Sequence, residues 1–402
     1  MKILYYIFLA VEILFVLFLL LPAILFLLHY LVKWFSGNRS PIVKEALIKK
    51  DFHFAAIVTA HQETRFIAPM VDSFLKQTYG QATLYVVLDD CGQDGLHFDD
   101  ERVVLLRPDP ALHAKIKSIT HAIDHFKREH DVLVIFDSDN LVHPRYFEYL
   151  NKYFQQGYRA VQTHMLSKNT DTIYAKLDSI GHIYYTFLDR QVRMELGLSS
   201  CTLGLGIAID LALYKEIMYR DTLGGFDKKM QADIVKAIPQ LAFAKEAIVY
   251  DEKVDDGQTL EKQRTRWLFT YFHYFGINWD VFKAGVTRFN GNLLYFGFVL
   301  LRPPLFILMG ISLVFAIADY FIDPVFMFVW IGSFFLFALS FVLIVLTQSR
   351  QKGMGVALLY VPLVVIRQIR AILKMKKATK SFMKTEHTKI IYIQDILRDE
   401  SF

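Results

Sequence analysis

Long apolar runs at both ends of the chain enclose a middle stretch written in short alternating runs. Ile3 to Val32 is apolar except for Glu12, Pro22 and His29. That exceeds the roughly 20 residues a membrane-spanning helix needs and the roughly 7–15 of a signal peptide's apolar core. From Phe52 the pattern shortens. Phe54–Thr59, Leu84–Leu88, Val103–Leu106 and Val132–Phe136 read as strands, while Ile67–Gln77 and Lys115–Lys127 carry apolar residues at helical spacing. Ala160–Gln162 and the Leu203–Ile209 region supply further strands, and the aromatic-rich Ile173–Leu196 reads as a helix. Strands alternating with helices at this spacing predict an α/β domain with a largely parallel, doubly wound sheet. Leu293–Ala318 and Val325–Leu346 are again long enough to span, with Arg302-Pro303-Pro304 interrupting the first, either as a kink or after an interfacial helix that leads into the span. Val356–Ile366 is short for a span and runs into Arg367, Arg370, Lys374, Lys376, Lys377 and Lys380. Val356–Lys377 is therefore expected to be re-entrant or to lie in the membrane interface.

Composition supports a membrane protein: 54% of the 402 residues are hydrophobic. Basic residues come after the first span (Lys33, Arg39, Lys44, Lys49, Lys50) against only Lys2 before it, which places the alternating middle stretch in the cytoplasm. The expected organisation is a transmembrane helix over 1–35, a cytoplasmic catalytic domain over 51–285, transmembrane helices over 286–350, and an interfacial or re-entrant helix with a basic tail over 351–402. The protein is thus expected to be integral to the cell's inner or plasma membrane. The formal charge of +5 is modest and its basic residues gather beside the apolar runs, so nucleic acid is not an expected partner; anionic membrane lipid is. The two cysteines, Cys91 and Cys201, have no metal-ligand spacing. Glu12 is expected to reach the membrane interface, and the apolar runs hold almost no charge of the kind a translocation path needs.

The candidate chemistry sits where strands end. Val132–Phe136 runs into Asp137-Ser138-Asp139, two carboxylates one residue apart at the carboxyl end of a buried strand. In an α/β sheet that is the ligand-binding edge, and a divalent cation carrying phosphates would balance the two charges. The other reading is a solvated turn whose aspartates cap a helix. Thr59-Ala60-His61-Gln62-Glu63 follows the first strand and Asp89-Asp90 the second, so three polar loops are expected in one crevice. Asp233 opens an apolar helix after Gly224-Gly225, and Gln263-Arg264-Thr265-Arg266-Trp267 offers an arginine and a flat aromatic just before the membrane.

With these residues in place, Phe52 to Trp267 resembles the membrane-bound family-2 glycosyltransferases of GT-A fold, similar to cellulose, hyaluronan and poly-N-acetylglucosamine synthases. Gln263–Trp267 is an intact Q-x-x-R-W motif and Asp137–Asp139 a D-x-D motif. The resemblance implies a Rossmann-like, mostly parallel GT-A sheet inserted between transmembrane helices. It implies that Thr59, His61 and Glu63 hold the nucleotide, Asp89 reads the uracil edge and Lys115 lies in the nucleotide region. Asp137 and Asp139 would bind the diphosphate and a magnesium or manganese ion, and Asp233 would be the catalytic base. Gln263, Arg266 and Trp267 would grip the diphosphate and the acceptor sugar. Gly204-Leu205-Gly206 resembles an acceptor-site motif, and residues 382–387 a loop that closes over the nucleotide. Two departures stand out: Gln231-Ala232-Asp233 replaces the usual T-E-D, and His61-Gln62 replaces an aromatic and an asparagine.

The function so implied is inverting transfer of a sugar from a UDP-sugar to a lipid-linked sugar or growing polysaccharide. Rival expectations are a catalytically inactive scaffold of a synthase complex, suggested by the missing glutamate, and a small transporter or receptor with a nucleotide-binding domain.

Overall fold

The computed structural model describes residues 2–36, 46–92, 95–217, 226–349, 351–378 and 387–400. Arg39, Lys44, Gly224-Gly225, Lys380 and residues 382–386 of the expected closing loop lie outside them. The chain forms two units, one built on a sheet (residues 40–169, 197–253 and 386–402) and one built of helices (1–39, 170–196 and 254–385).

Among the described residues the sheet unit has eight strands: β1 Phe54–His61, β2 Ala82–Asp89, β3 Val103–Leu106, β4 Val132–Asp137, β5 Leu141–Val142, β6 Ala160–Ser167, β7 Ile207–Asp210 and β8 Ala242–Asp251. Their order across the sheet is β3-β2-β1-β4-β7-β6-β8-β5. β1, β2, β3 and β4 pair in parallel, as do β6 and β8, while β7 runs antiparallel to β4 and β6, and β5 antiparallel to β8. The sheet is thus mixed and mostly parallel. β2 is buried along its whole length and β4 along all but its last residue, as continuous β-branched and aromatic runs require when both faces are covered. Helices Ile67–Leu75, Lys115–Asp124 and Tyr146–Gln155 bury their apolar residues, and Phe54, Phe74 and Phe147 meet edge to face or tilted. At the far edge, Ile393 of the last helix, Ile393–Glu400, joins Leu141 and Tyr250 in a buried cluster.

The helical unit contains three helices long and apolar enough to cross a membrane: Tyr5–Phe35, Leu305–Ile322 and Pro324–Gln348. Arg302, Pro303 and Pro304 separate Gly291–Leu300 from Leu305–Ile322, so the apolar run beginning at Leu293 is two helices rather than one kinked span. Asp323 begins the third of these helices: its Oδ1 accepts the N–H groups of Val325 and Phe326, and Pro324 sits at the first helical position. Ile173–Thr186 is helical as expected and packs Ile180 against Val345. Residues after Gly353 form Met354–Leu358 and Val361–Ala378.

Glu12 departs from expectation. It is 2% exposed, buried among the helices together with Asp319 at 1% and His29 at 0%. The apolar runs therefore do enclose ionisable groups, because Asp319 and Trp330 give Glu12 a polar partner away from water.

Candidate active site

Register decides which loops meet. β1 lies between β2 and β4, pairing His61 with Asp89 and Thr59 with Asp137. The polar loops after β1, β2 and β4 therefore open at one edge of the sheet.

Asp89 is 2% exposed, and backbone groups occupy both its oxygens: Leu112 N–H donates at 2.6 Å and His113 N–H at 2.8 Å. His61 Nδ1 lies 3.1 Å from the Asp89 Oδ2. His113, held with φ +53°, meets His61 edge to face at 5.3 Å. Asp89 thus organises the 112–113 loop, and the three side chains form one N,O,N donor cluster. Glu63 pairs with Arg65 at 2.9 Å within its own loop.

The D-x-D aspartates face different partners. Asp137 is half-exposed, and Lys115 Nζ reaches it at 2.5 Å while also lying 3.5 Å from the Gly204 carbonyl oxygen. Asp139 is buried, and its Oδ2 lies 3.5 Å from His387 Nδ1. Glu252, immediately after β8, brings its Oε2 to 4.0 Å from the same nitrogen. The donor atoms of Asp139, Glu252 and His387 lie within 4.8 Å of one another. Two hard carboxylate oxygens and an imidazole fit a magnesium or manganese ion, with manganese the better match for a nitrogen donor.

That cluster is held from behind. Lys168 Nζ lies 3.1 Å from the Asp139 carbonyl oxygen and 3.6 Å from Glu252 Oε2. Thr388 and Lys389 donate backbone N–H groups to Glu252 Oε1 at 2.6 and 3.1 Å, which fixes His387 in place. Asn140 links the two strand ends, accepting from Asp137 N–H and donating to Asp251 Oδ1. Burial raises the Asp251 carboxyl above its ordinary value; the nearby Asp139 carboxylate adds to this and Lys253, at 2.8 Å, opposes it.

Sequence reasoning does not single out Glu252 and His387 as ligands. Glu252 carries a signal of the same kind as Asp137, a carboxylate directly after a buried strand. His387 ends the 382–387 stretch likened to a loop closing over the nucleotide, but nothing there marks it as a ligand, since only the fold returns the C-terminal segment to β8.

Asp233 lies inside helix Phe226–Ala237 rather than opening it as expected, between Lys229 at 3.1 Å and Lys236 at 3.0 Å. Gln231, standing where the family's threonine is usual, is buried, and its Oε1 accepts the Thr202 N–H at 2.7 Å. The same helix brings Asp227 under Gly204, whose φ of +82° suits glycine. Gly206 has φ +62°, and a Cβ there would lie 2.5 Å from Thr163 Oγ1. The Gly204-Leu205-Gly206 loop is thus fastened to the helix that carries Asp233.

Gln263, Arg266 and Trp267 belong to the helical unit, on Gly257–His273, whose start Asp256 caps by accepting from Gln258 and Thr259. Trp267 is 47% exposed. The guanidinium over its ring, 4.3 Å away, is that of Arg264, one turn earlier, which also pairs with Asp178 at 2.5 Å. Gln263 Oε1 is buried with no hydrogen-bond partner among the described residues.

Three solved structures resemble the chain in shape. The mannosyltransferase PcManGT from Pyrobaculum calidifontis, in complex with GDP-Man and Mn2+, is 14% identical, with 81% of this chain and 98% of that one covered and a TM-score of 0.46. S. aureus TarS 1-349 is 15% identical, with 82% and 91% covered and a TM-score of 0.40. The same TarS fragment in complex with UDP-GlcNAc is 14% identical with equal coverage and TM-score. No curated protein sequence matches the chain. The family described as glycosyltransferase like family 2 matches residues 52–270, which takes in the strand-end loops, the Asp233 helix and the Q-x-x-R-W motif. That is more than half of the 402 residues, and the chain belongs to this glycosyltransferase family.

Proposed function

We propose that this chain is an inverting, metal-dependent glycosyltransferase that moves a sugar from a UDP-sugar to a membrane-associated acceptor, a lipid-linked sugar or a growing polysaccharide. The family match supplies the reaction class. The observation that carries the finer reading is the Asp139–Glu252–His387 donor set beside Asp137 and Lys115. Those three residues would hold magnesium or manganese, which when bound offsets the charge of a departing diphosphate. Lys115 adds a second positive charge at the same edge, and Asp137 orients it. Asp233 serves as the base that takes the proton of the attacking hydroxyl, with Lys229 and Lys236 holding its carboxylate in place. Attack from the side opposite the diphosphate inverts the anomeric carbon. Gln263, Arg266 and Trp267 serve the diphosphate and acceptor sugar, with Arg264 fixing the Trp267 ring. Thr59, His61 and Glu63 line the nucleotide loop.

The three apolar helices and the basic residues after the first favour a membrane-embedded chain with its catalytic domain in the cytoplasm, the basic helix Val361–Ala378 lying against anionic lipid. The membrane-associated acceptor follows from that placement.

The test is release of UDP from a panel of UDP-sugars by the detergent-purified chain with manganese or magnesium, alongside Asp139→Ala and Asp233→Asn. Release with one sugar, abolished in Asp139→Ala and strongly reduced in Asp233→Asn, is the expected result. The lysines engaging Asp233, with alanine at position 232 where the family's glutamate is usual, favour one second reading, an inactive scaffold of a synthase complex. Absence of release from every sugar, with membrane lipid supplied, would establish that reading instead.

A further inference from the structure

The proposed transferase chemistry makes no use of the acids buried among the apolar helices. Glu12, on Lys2–Ser36, and Asp319, on Leu305–Ile322, are 2% and 1% exposed, and their carboxyl groups meet at hydrogen-bonding range. Trp330, fully buried on Pro324–Gln348, donates its indole N–H to Asp319 Oδ2 at 2.9 Å. One oxygen of each acid, Glu12 Oε1 and Asp319 Oδ1, is buried with no donor among the described residues.

The surroundings are apolar. Phe8 and Phe15, flanking Glu12 on its own helix, each meet Phe315 edge to face at 5.5 Å, and Phe315 stacks on the Trp330 ring at 5.9 Å. The remaining charged or titratable groups nearby are Asp323, which also receives a 3.5 Å hydrogen bond from Tyr5, and Tyr5 itself. No cation faces the pair among the described residues. Two ionised carboxylates in contact, out of water and without a counter-ion, repel each other and lack donors for their lone pairs. One proton between them removes the repulsion and supplies the missing donor.

We propose that Glu12 and Asp319 form a proton-binding site inside the helical unit, with one proton shared between the two carboxyls and Asp319 oriented by Trp330. The bound proton ties the first apolar helix to the second and third. The site involves no donor or acceptor group and stands independently of the proposed catalysis.

An apolar carbodiimide reacts with protonated carboxyls and not with carboxylates, so it reads the site directly. Full-length protein in detergent is treated with dicyclohexylcarbodiimide at pH 7 and its peptides are mapped by mass spectrometry. The expected result is one adduct per chain, on Glu12 or Asp319. No adduct on either acid would overturn the proposal. Labelling suppressed by sodium or magnesium at constant pH would overturn it too, since a metal ion would then occupy the site. A second measurement is thermal unfolding. Glu12→Gln keeps a donor for Asp319 and is expected to leave Tm near wild type, whereas Glu12→Ala lowers it by several degrees. Equal losses in the two variants would show that no donated hydrogen is needed, and would sink the shared proton.

Discussion

Asp139, Glu252 and His387 form the donor set on which the proposed chemistry depends, and each is separately testable. Glu252→Gln and His387→Ala are each expected to weaken manganese binding roughly 10- to 100-fold, measured by titration calorimetry of the purified chain. Unchanged affinity in both would remove these residues from the site. His130 makes a different residue-scale prediction. Burial, together with His53 and Arg128, pushes its imidazole down to about 4, and its Nε2 sits 2.9 Å from the Tyr85 hydroxyl. The unfolded chain, with an ordinary histidine, binds a proton first as pH falls. Stability is therefore expected to be full above about 6.5 and to fall by on the order of 3 kcal/mol between there and 4. His130→Gln should flatten that part of the unfolding-versus-pH curve; a curve unaltered by the substitution would show that other groups set it. Asp89 shows how a residue's place can be legible when its job is not. Its position at a strand end follows from periodicity, but the N–H groups of Leu112 and His113 that occupy it come from a loop with no periodic signal.

At the scale of elements, helix Phe226–Ala237 ties a departure from the family motif to a structural role. Gln231 accepts the Thr202 N–H, so Gln231→Ala strands a buried donor and is expected to cost about 1–3 kcal/mol in chemical denaturation. Gln231→Glu keeps an acceptor oxygen and is expected to cost less. If alanine and glutamate prove equally mild, the contact does not hold the Thr202–Gly206 loop. The strands were legible because buried parallel strands are continuous apolar runs, and β1, β2 and β4 lie where those runs predict. The antiparallel direction of β7 was not legible, since β-branched composition is alike in either direction. The broken span before Leu305 was half legible. Arg302-Pro303-Pro304 announced an interruption, and separate helices on either side resolved it.

For the whole molecule, the C-terminal segment is the notable case. Residues 387–400 lie beyond the last apolar helix in sequence, yet Thr388 and Lys389 bind Glu252, and Ile393 packs with Leu141 and Tyr250. A chain truncated after residue 386 is therefore expected to bind manganese as weakly as His387→Ala and also to lose stability in the sheet unit, because it loses apolar burial as well as a ligand. Calorimetric titration and thermal unfolding of the truncated chain check the two losses separately; retention of both would show that the segment is dispensable. By itself the sequence determined β1 to β4 and the helices between them, the three apolar helices and the acids at the strand ends, since these follow from short-range periodicity and local chemistry, while β5, β8 and helix Tyr146–Gln155 were not marked by it. Only the tertiary structure decided that Glu252 and His387 join Asp139, that Arg264 covers Trp267, and that Glu12 meets Asp319. The first and last of these sets join residues distant in sequence, and the second depends on which side chain of one helix turns toward the ring. Packing sets such contacts, and no local pattern encodes them.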